Sequence, residues 1–285
     1  VALIVAGFKN PAILADCAEF AGFQDKNPLF PCLFVTIACG IISGFHATQS
    51  PIVARTITSE RQARSTFYGM MILEGVIAMI WAAAALAIYN IDAANLSLNG
   101  PAVLGNVSKH FLGAWMGGVT IFAIVVLAVT SGDTALRSAR LSIAEMFSID
   151  QVNIARRIAT CVPLVVIVSA LRWWSNLDAK SFSNLWNYFA WGNQMLSATT
   201  LMAASVWLLR RGRKCATLVT LLPGMFMTAV VVSFILWTPG KGGQPWGLVP
   251  GGLGLGYATG ISVCVALAFM VFALMRGRDK EETEK

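Results

Sequence analysis

Apolar runs long enough to cross a lipid bilayer recur along this chain from one end to the other. About 20 apolar residues in a helix span a hydrocarbon core of roughly 30 Å. Seven such runs are legible, near Leu29–Ala47, Gly69–Asn90, Gly113–Ser131, Ile158–Trp173, Leu185–Leu209, Cys215–Trp237 and Gly252–Met275. The fourth is short unless Arg157 and Trp173–Trp174 sit in the interfaces, where Arg snorkels and Trp is favoured. Composition agrees: 56% of the residues are hydrophobic and only 12% are charged, about half the charge of a soluble domain. The expected class is an all-α transmembrane protein of about seven helices whose first partner is the lipid bilayer.

The formal net charge of +7 could suggest a nucleic-acid partner, but the placement of the charge excludes one. Fifteen basic residues fall in one set of alternating loops: Arg55, Arg61, Arg64; Arg137, Arg140, Arg156, Arg157; Arg210, Arg211, Arg213, Lys214; and Arg276, Arg278, Lys280, Lys285. Six fall in the other set: Lys9, Lys26, Lys109, Arg172, Lys180 and Lys241. The richer set is predicted to be cytoplasmic, and the C-terminus with it. A multi-pass protein of the inner, cytoplasmic membrane follows.

The six cysteines are single and mostly within apolar runs, so they read as small packing residues and not as a disulfide or zinc framework. Two histidines, His46 and His110, are too few for a haem or a metal cluster. The opening V-A-L-I-V-A-G-F carries no signal-peptide features and reads as the outer end of a helix that begins elsewhere, so the chain is expected to be a fragment. Between Asn10 and Pro28 the pattern allows either a short amphipathic helix or a plain surface loop. The Gly-rich stretch Pro239–Gly260 has neither a preceding strand nor a following G-K-[ST] and does not read as a phosphate loop. Gly40 with Gly44, Gly113 with Gly117 and Gly256 with Gly260 are small residues four apart, a spacing that lets helices approach closely in lipid.

Ionisable residues inside apolar runs cost about 2.5 to 3.5 kcal/mol each on insertion scales, so each needs a partner, a wet cavity or a task. Glu74, Asp133 and His46 qualify. Helical rise places all three in the cytoplasmic third of their spans. Three such groups at one depth could form a proton relay, since imidazole titrates near neutrality and a desolvated carboxyl can be moved toward it. Against that, Asp133 stands four residues before Arg137 and could simply pair with it, while Glu74 and His46 could serve packing. The segment Gly44–Pro51, G-F-H-A-T-Q-S-P, combines Gly, small polar residues and Pro at the end of an apolar run. It is expected to unwind, and unwound backbone at membrane depth builds substrate sites in transporters; the alternative is an ordinary helix end. On the fifth span Asn187, Trp191, Gln194 and Ala198 share one face. Gln194 and Trp191 are read as pathway-lining, and Asn193, off that face, as interhelical glue.

Three motifs then stand out: L-F-P-C-L-F-V-T-I-A-C-G-I-I-S-G-F-H-A-T-Q-S-P from Leu29, T-S-G-D-T-A-L-R-S-A-R from Thr130, and L-W-N-Y-F-A-W-G-N-Q-M-L from Leu185. Together they closely resemble the carbon starvation protein A family, in the same order from about Asn10 to Leu209. The resemblance implies a proton-coupled carrier of peptides or pyruvate in the cytoplasmic membrane. The longer members share Gly44-Phe45-His46-Ala47 but differ where this chain has Thr48-Gln49-Ser50-Pro51, which leaves the substrate open. T-S-G-D-T also looks like an element that betaine-type transporters of the inverted-repeat fold carry near a sodium site.

On that basis the expected fold is the second inverted repeat of an APC/LeuT-like transporter with two peripheral helices. Residues 1–28 would end a preceding helix and form an extracellular connector, 29–209 the five-helix repeat, and 210–285 the peripheral helices and tail. The resemblance makes His46, Thr48, Gln49, Ser50, Trp191 and Gln194 the candidate substrate residues. Glu74, Asp133, Thr130, Ser131 and Thr134 become the candidates for proton or sodium coupling, with no other cofactor. The family's N-terminal half would be a necessary partner. A seven-helix receptor or sensor is the competing class; an intramembrane enzyme finds no G-x-S-x-G, H-E-x-x-H or Ser/Lys arrangement to support it.

Overall fold

The computed structural model describes residues 29–91, 100–238, 248 and 251–278. The opening run, the connector between Asn10 and Pro28 and much of the Gly-rich stretch lie outside the described residues. Among the described residues every regular element is a helix. A π-helical turn, Leu29–Leu33, leads into α1 (Phe34–Ile41), followed by α2 (Gly44–Ala54) and the short α3 (Glu60–Ala63). A second π-helical turn, Arg64–Gly69, joins α3 to α4 (Met70–Ile91). Then come α5 (Gly100–Met146), α6 (Ile154–Ser175), α7 (Ala179–Arg210), α8 (Lys214–Trp237) and α9 (Leu255–Arg278).

Five of the helical stretches, those of α4, α5, α6, α8 and α9, are long and apolar enough to cross a membrane. Two of the seven predicted runs take another form. The first is divided into α1 and α2, of 8 and 11 residues, neither of which could span alone. The fifth is the 32-residue α7, long enough but diluted in hydropathy by its Ser, Asn, Gln and Thr side chains. The third is longer than predicted, because α5 begins at Gly100 and runs on to Met146.

The chain divides into two compact units, and the boundary falls within α2 between Pro51 and Ile52. In the first, α4 to α6, the helices keep most of their apolar surface free of protein: none of the apolar window of α6 is buried and very little of α5's is. Ala84 and Ile88 of α4 pack with Val107 of α5, supported by Trp81, Val103 and Phe111. Directly after this contact α5 bends at Gly113, whose φ of 74° and ψ of 175° belong to a region that only glycine enters readily. The bend lays Gly117 against the preceding arm: a Cβ there would stand 2.9 Å from the Ser108 carbonyl oxygen. Gly113 and Gly117 therefore meet the spacing expectation with a turn and a close approach.

The second unit is built on α8, half of whose apolar window is buried. Its contacts with α7 pair rising numbers on one helix with falling numbers on the other: Trp191 with Val231, Ala198 with Met227, Met202 with Leu221, Ser205 with Thr220. The two helices are thus antiparallel neighbours, as a tight Arg211–Arg213 connection requires. At one end α1 docks through Val35 onto Val230 and Phe234, with Phe34 meeting Phe226 edge-on at 4.8 Å between ring centroids. At the other end α9 contributes Ala273, Phe269 and Met270, and Gly277 lies directly against Leu209. Gly256 and Gly260 have open space around them, so that pair is not a packing notch here.

Two neighbouring glycines test the hairpin in α5. Gly117→Ala should lower the melting temperature of the detergent-solubilised protein, by about 2 kcal/mol in stability, because backbone must move to admit the methyl. Gly118→Ala, where nothing lies within 4 Å, should be neutral or gain up to about 1 kcal/mol from helix propensity. Equal effects at the two positions would remove the close approach from the account.

Candidate functional site

The helix break is the place where this chain leaves backbone groups to be satisfied by something other than the helix itself. The break falls at Ile42–Ser43, not across Gly44–Pro51 as expected. Gly44–Ala54 is helical with Pro51 inside it. The reason is local. Thr48 donates its hydroxyl to the Phe45 carbonyl at 2.8 Å and Ser50 to the His46 carbonyl at 2.6 Å, so the small polar side chains bond back to the helix they were expected to disrupt. Such bonds also help a membrane helix tolerate Pro.

The first turn of α2 is closed from two sides. Ser43 occupies the N-cap position, and its Oγ accepts from the Phe45 N–H at 3.2 Å. The same N–H is shared with Asn193 Oδ1 of α7 at 3.1 Å. Asn193 also donates from Nδ2 to Ser43 Oγ at 2.9 Å, and the Ser43 hydroxyl lies 3.1 Å from Asn193 Oδ1. The Ser43 carbonyl in turn accepts from the His46 backbone N–H at 3.1 Å and lies 3.2 Å from its Nδ1. A residue 150 positions away thus completes the cap. Gly44 makes this possible, since a Cβ there would collide with the Asn193 carbonyl oxygen and with Leu196.

His46, Thr48, Gln49 and Ser50 are therefore brought together on one short, half-buried helix whose N-terminal end is pinned to α7. Trp191 lies on the opposite side of the same stretch of α7 from Asn193, and Gln194 about 100° round the helix from Asn193. Trp191 donates its indole N–H to the Val231 carbonyl at 3.2 Å, and Gln194 is fully buried. Trp191 also packs against the cluster of Val35 from α1 with Val230 and Phe234 from α8, and Ala198, one turn beyond Gln194, packs with Met227 of α8 and Ile42 at the break. Asn193 is glue, as its position off that face suggested. Ser43, which the sequence reading passed over, is a central member; a Ser directly before G-F-H was the available signal.

The candidate coupling residues lie in the first unit. Asp133 pairs with Arg137 across one helical turn at 2.9 Å, the simpler of the two roles foreseen for it. Thr130 donates to the Leu127 carbonyl at 2.8 Å and Thr134 to the Thr130 carbonyl at 3.0 Å. Their hydroxyl protons are occupied and their oxygen lone pairs are left to accept. Ser131 is half-buried between them. Glu74 is exposed on α4 among the exposed Leu73, Val76 and Ile77. The α4–α5 contact at Ala84 is ten residues further on, about 15 Å along the helix. His46 belongs to the other unit.

A family model described as carbon starvation protein CstA matches residues 1–110 and 101–233. The chain belongs to that family. The match carries the resemblance past the three motifs and into α8. An uncharacterized protein of Haemophilus influenzae is 42% identical over 129 residues, 45% of this chain and 87% of that protein. The peptide transporter CstA of Campylobacter jejuni is 23% identical over 292 residues, 80% of this chain and 41% of that protein. The pyruvate/proton symporter BtsT of Escherichia coli is 45% identical over 56 residues, 19% of this chain and 8% of that protein. The chain spans about two fifths of the peptide transporter's length. No solved structure matches.

The shared cap predicts non-additive losses. Ser43→Ala and Asn193→Ala should each destabilise by about 1 to 2 kcal/mol, and the double variant by clearly less than the sum, because either change alone dismantles the same network. A thermal-melting double-mutant cycle in detergent measures this; strict additivity would mean that the two side chains do not share the first turn of α2.

Proposed function

We propose that this chain is the C-terminal part of a secondary active transporter of small nutrients, peptides or pyruvate-like carboxylates, coupled to protons and working by alternating access. Family membership supports the class, since relatives carry the names peptide transporter and pyruvate/proton symporter. The observation that carries the reading at the site is the divided first span. Its second piece, α2, presents His46, Thr48, Gln49 and Ser50 behind an N-terminus held by a distant helix. Broken helices with oriented ends are how transporters build solute sites at membrane depth.

In this reading α1 to α7 correspond to the second inverted repeat of an APC/LeuT-like core and α8 and α9 to peripheral helices, with α1–α2 and α7 counted as spans to make seven. Residues 1–28 are the connector, 29–209 the repeat and 210–285 the peripheral part, with the C-terminus cytoplasmic in the inner membrane. The substrate lies along α2, joined by Trp191 and Gln194 in a state where the α7–α8 seam opens. A proton rides on Glu74, Asp133 or His46, or a sodium ion takes the lone pairs of Thr130, Ser131 and Thr134. The N-terminal half of the longer protein completes the site, which accords with the coverage of the longer relatives. The relatives' names give the receptor alternative no support.

The test is uptake of radiolabelled pyruvate and of a dipeptide into vesicles carrying the full-length protein, with and without an imposed proton gradient. Gradient-stimulated accumulation of one of them is expected; failure of both would remove this substrate class. Asp133→Asn should then abolish gradient-driven accumulation while leaving exchange of labelled for unlabelled solute measurable. Loss of both together would make Asp133 a structural partner of Arg137 and not a proton carrier.

A further inference from the structure

The cations at the α7–α8 connection lack the partners that arginines of the first unit have. In that unit Arg55 reaches Glu145 at 3.4 Å and Arg137 reaches Asp133 at 2.9 Å. In the second, no Asp or Glu occurs anywhere from Ala179 to Arg278. Arg210, Arg211, Arg213 and Lys214, between α7 and α8, are all exposed, and no carboxylate among the described residues pairs with them. Loop charge that serves only to orient a membrane protein needs no fixed geometry. Two of these side chains are held in place.

Arg210 donates its Nε–H to the Arg276 carbonyl at 3.2 Å, which brings the end of α9 to the cluster, and Gly277 lies directly against Leu209 beside it. That bond uses one of five guanidinium N–H groups and leaves the Nη groups to donate elsewhere. One residue on, the Arg211 guanidinium lies over the Trp207 ring, 4.6 Å from its centroid. Stacking of this kind orients the cation and leaves its charge unneutralised. The chain then turns at Gly212, where φ is 69°, and the Arg213 N–H closes the turn on the Leu208 carbonyl at 3.0 Å. Four positive charges are thereby gathered at one tight corner.

The apolar side chains next to this corner are exposed as well. Trp207, one turn before Arg211, is 54% exposed; Leu218 and Leu222, one and two turns after Lys214 on the same face of α8, are 54% and 55% exposed. Ser205 meets Thr220 across the antiparallel pair, so two residues nearer the corner Trp207 and Leu218 stand at one level. An indole with one apolar and one polar end favours the headgroup level of a bilayer. A phosphodiester fits the corner, because its two unbridged oxygens accept paired N–H groups from a guanidinium fork. The acidic run that follows α9 is a rival occupant, but its Asp279, Glu281, Glu282 and Glu284 are offset by Lys280 and Lys285. The two negative charges left over match only half of the four cations.

We propose that the ends of α7, α8 and α9 bind the headgroup of an anionic phospholipid, with its phosphate on Arg210, Arg211, Arg213 and Lys214 and its acyl chains against the level of Trp207, Leu218 and Leu222. Basic corners between membrane helices hold anionic headgroups in this way. The site is independent of the substrate reading and stands whether or not the protein transports pyruvate or peptides.

Native mass spectrometry of the full-length protein in detergent, equilibrated with equal amounts of phosphatidylglycerol and phosphatidylcholine, reads the preference. The unaltered protein should retain phosphatidylglycerol over phosphatidylcholine by at least about fivefold, and Arg211→Gln with Arg213→Gln should bring the ratio near one. Arg213→Gln alone, which disturbs neither the Trp207 stack nor the Arg276 bond, should already lower it about twofold. Arg61→Gln with Arg64→Gln, an equal loss of charge in the first unit, should leave it unchanged. Equal retention of the two lipids by the unaltered protein would overturn the proposal, as would an unchanged ratio in Arg213→Gln. An equal fall in the Arg61 and Arg64 pair would make retention a matter of net charge and overturn it too. So would a preference that appears only when residues 279–285 are removed, which would give the corner to the acidic run, or release of the lipid by inorganic phosphate, which would make the ligand a soluble anion.

Discussion

Backbone polar groups in a membrane have no water to fall back on, and this requirement organises the second unit around one short turn of helix. Breaking the first span at Ile42–Ser43 exposes the N–H groups that open α2, and each left unmet in hydrocarbon costs several kcal/mol. The Phe45 N–H is met by Ser43 Oγ and by Asn193 Oδ1. The second bond fixes α2 to α7, Gly44 sets how near they come, and α7 is in turn locked to α8 from Trp191 to Ser205. The position of the polar residues from His46 to Ser50 is thus inherited from a packed bundle and not from the apolar run that precedes them.

The apolar runs were legible in the sequence because crossing lipid demands length and hydropathy together, and both are local properties. The long helices α4, α6, α8 and α9 follow the predicted runs to within several residues. The break was legible in kind but not in place. Gly44, Thr48, Ser50 and Pro51 are the residues that local preference marks as breakers, yet they form α2. What fixes the break two residues upstream is a contact with Asn193, 150 positions distant, which no local pattern contains. The extension of α5 to Met146 has the converse cause: A-L-R-S-A-R-L-S-I-A-E-M is too polar to count as a span but a good helix former, so the helix continues where the hydropathy signal stops.

The candidate site divides along the same line. Asp133 and Arg137 sit one turn apart on one helix, so their pairing could be foreseen from spacing alone. The role of Asn193 could be foreseen only as glue of unspecified partner. Trp191 and Ala198 share one face of α7 by spacing, but which neighbours that face meets is a tertiary fact: Trp191 meets Val231 of α8 and the Val35 cluster, and Ala198 meets Met227 and Ile42. Sequence periodicity reports that a face is special without reporting what it faces.

A rule for reading polar residues in membrane helices follows from the hydrogen bonds observed. Ser and Thr can hide their proton on their own helix, as Thr36, Thr120, Thr130, Thr134 and Thr160 do, so their presence in an apolar run demands nothing of the neighbours. An amide cannot be satisfied this way, because it must find both an acceptor and a donor. Asn193 finds them across a helix–helix contact, and Gln194, one residue later and about 100° round the helix, finds neither among the protein groups around it. Of the four amides in α7, Asn184, Asn187, Asn193 and Gln194, it is Asn193 that holds the broken span in place, and it does so by bonds that no hydroxyl returning its proton to its own helix could make.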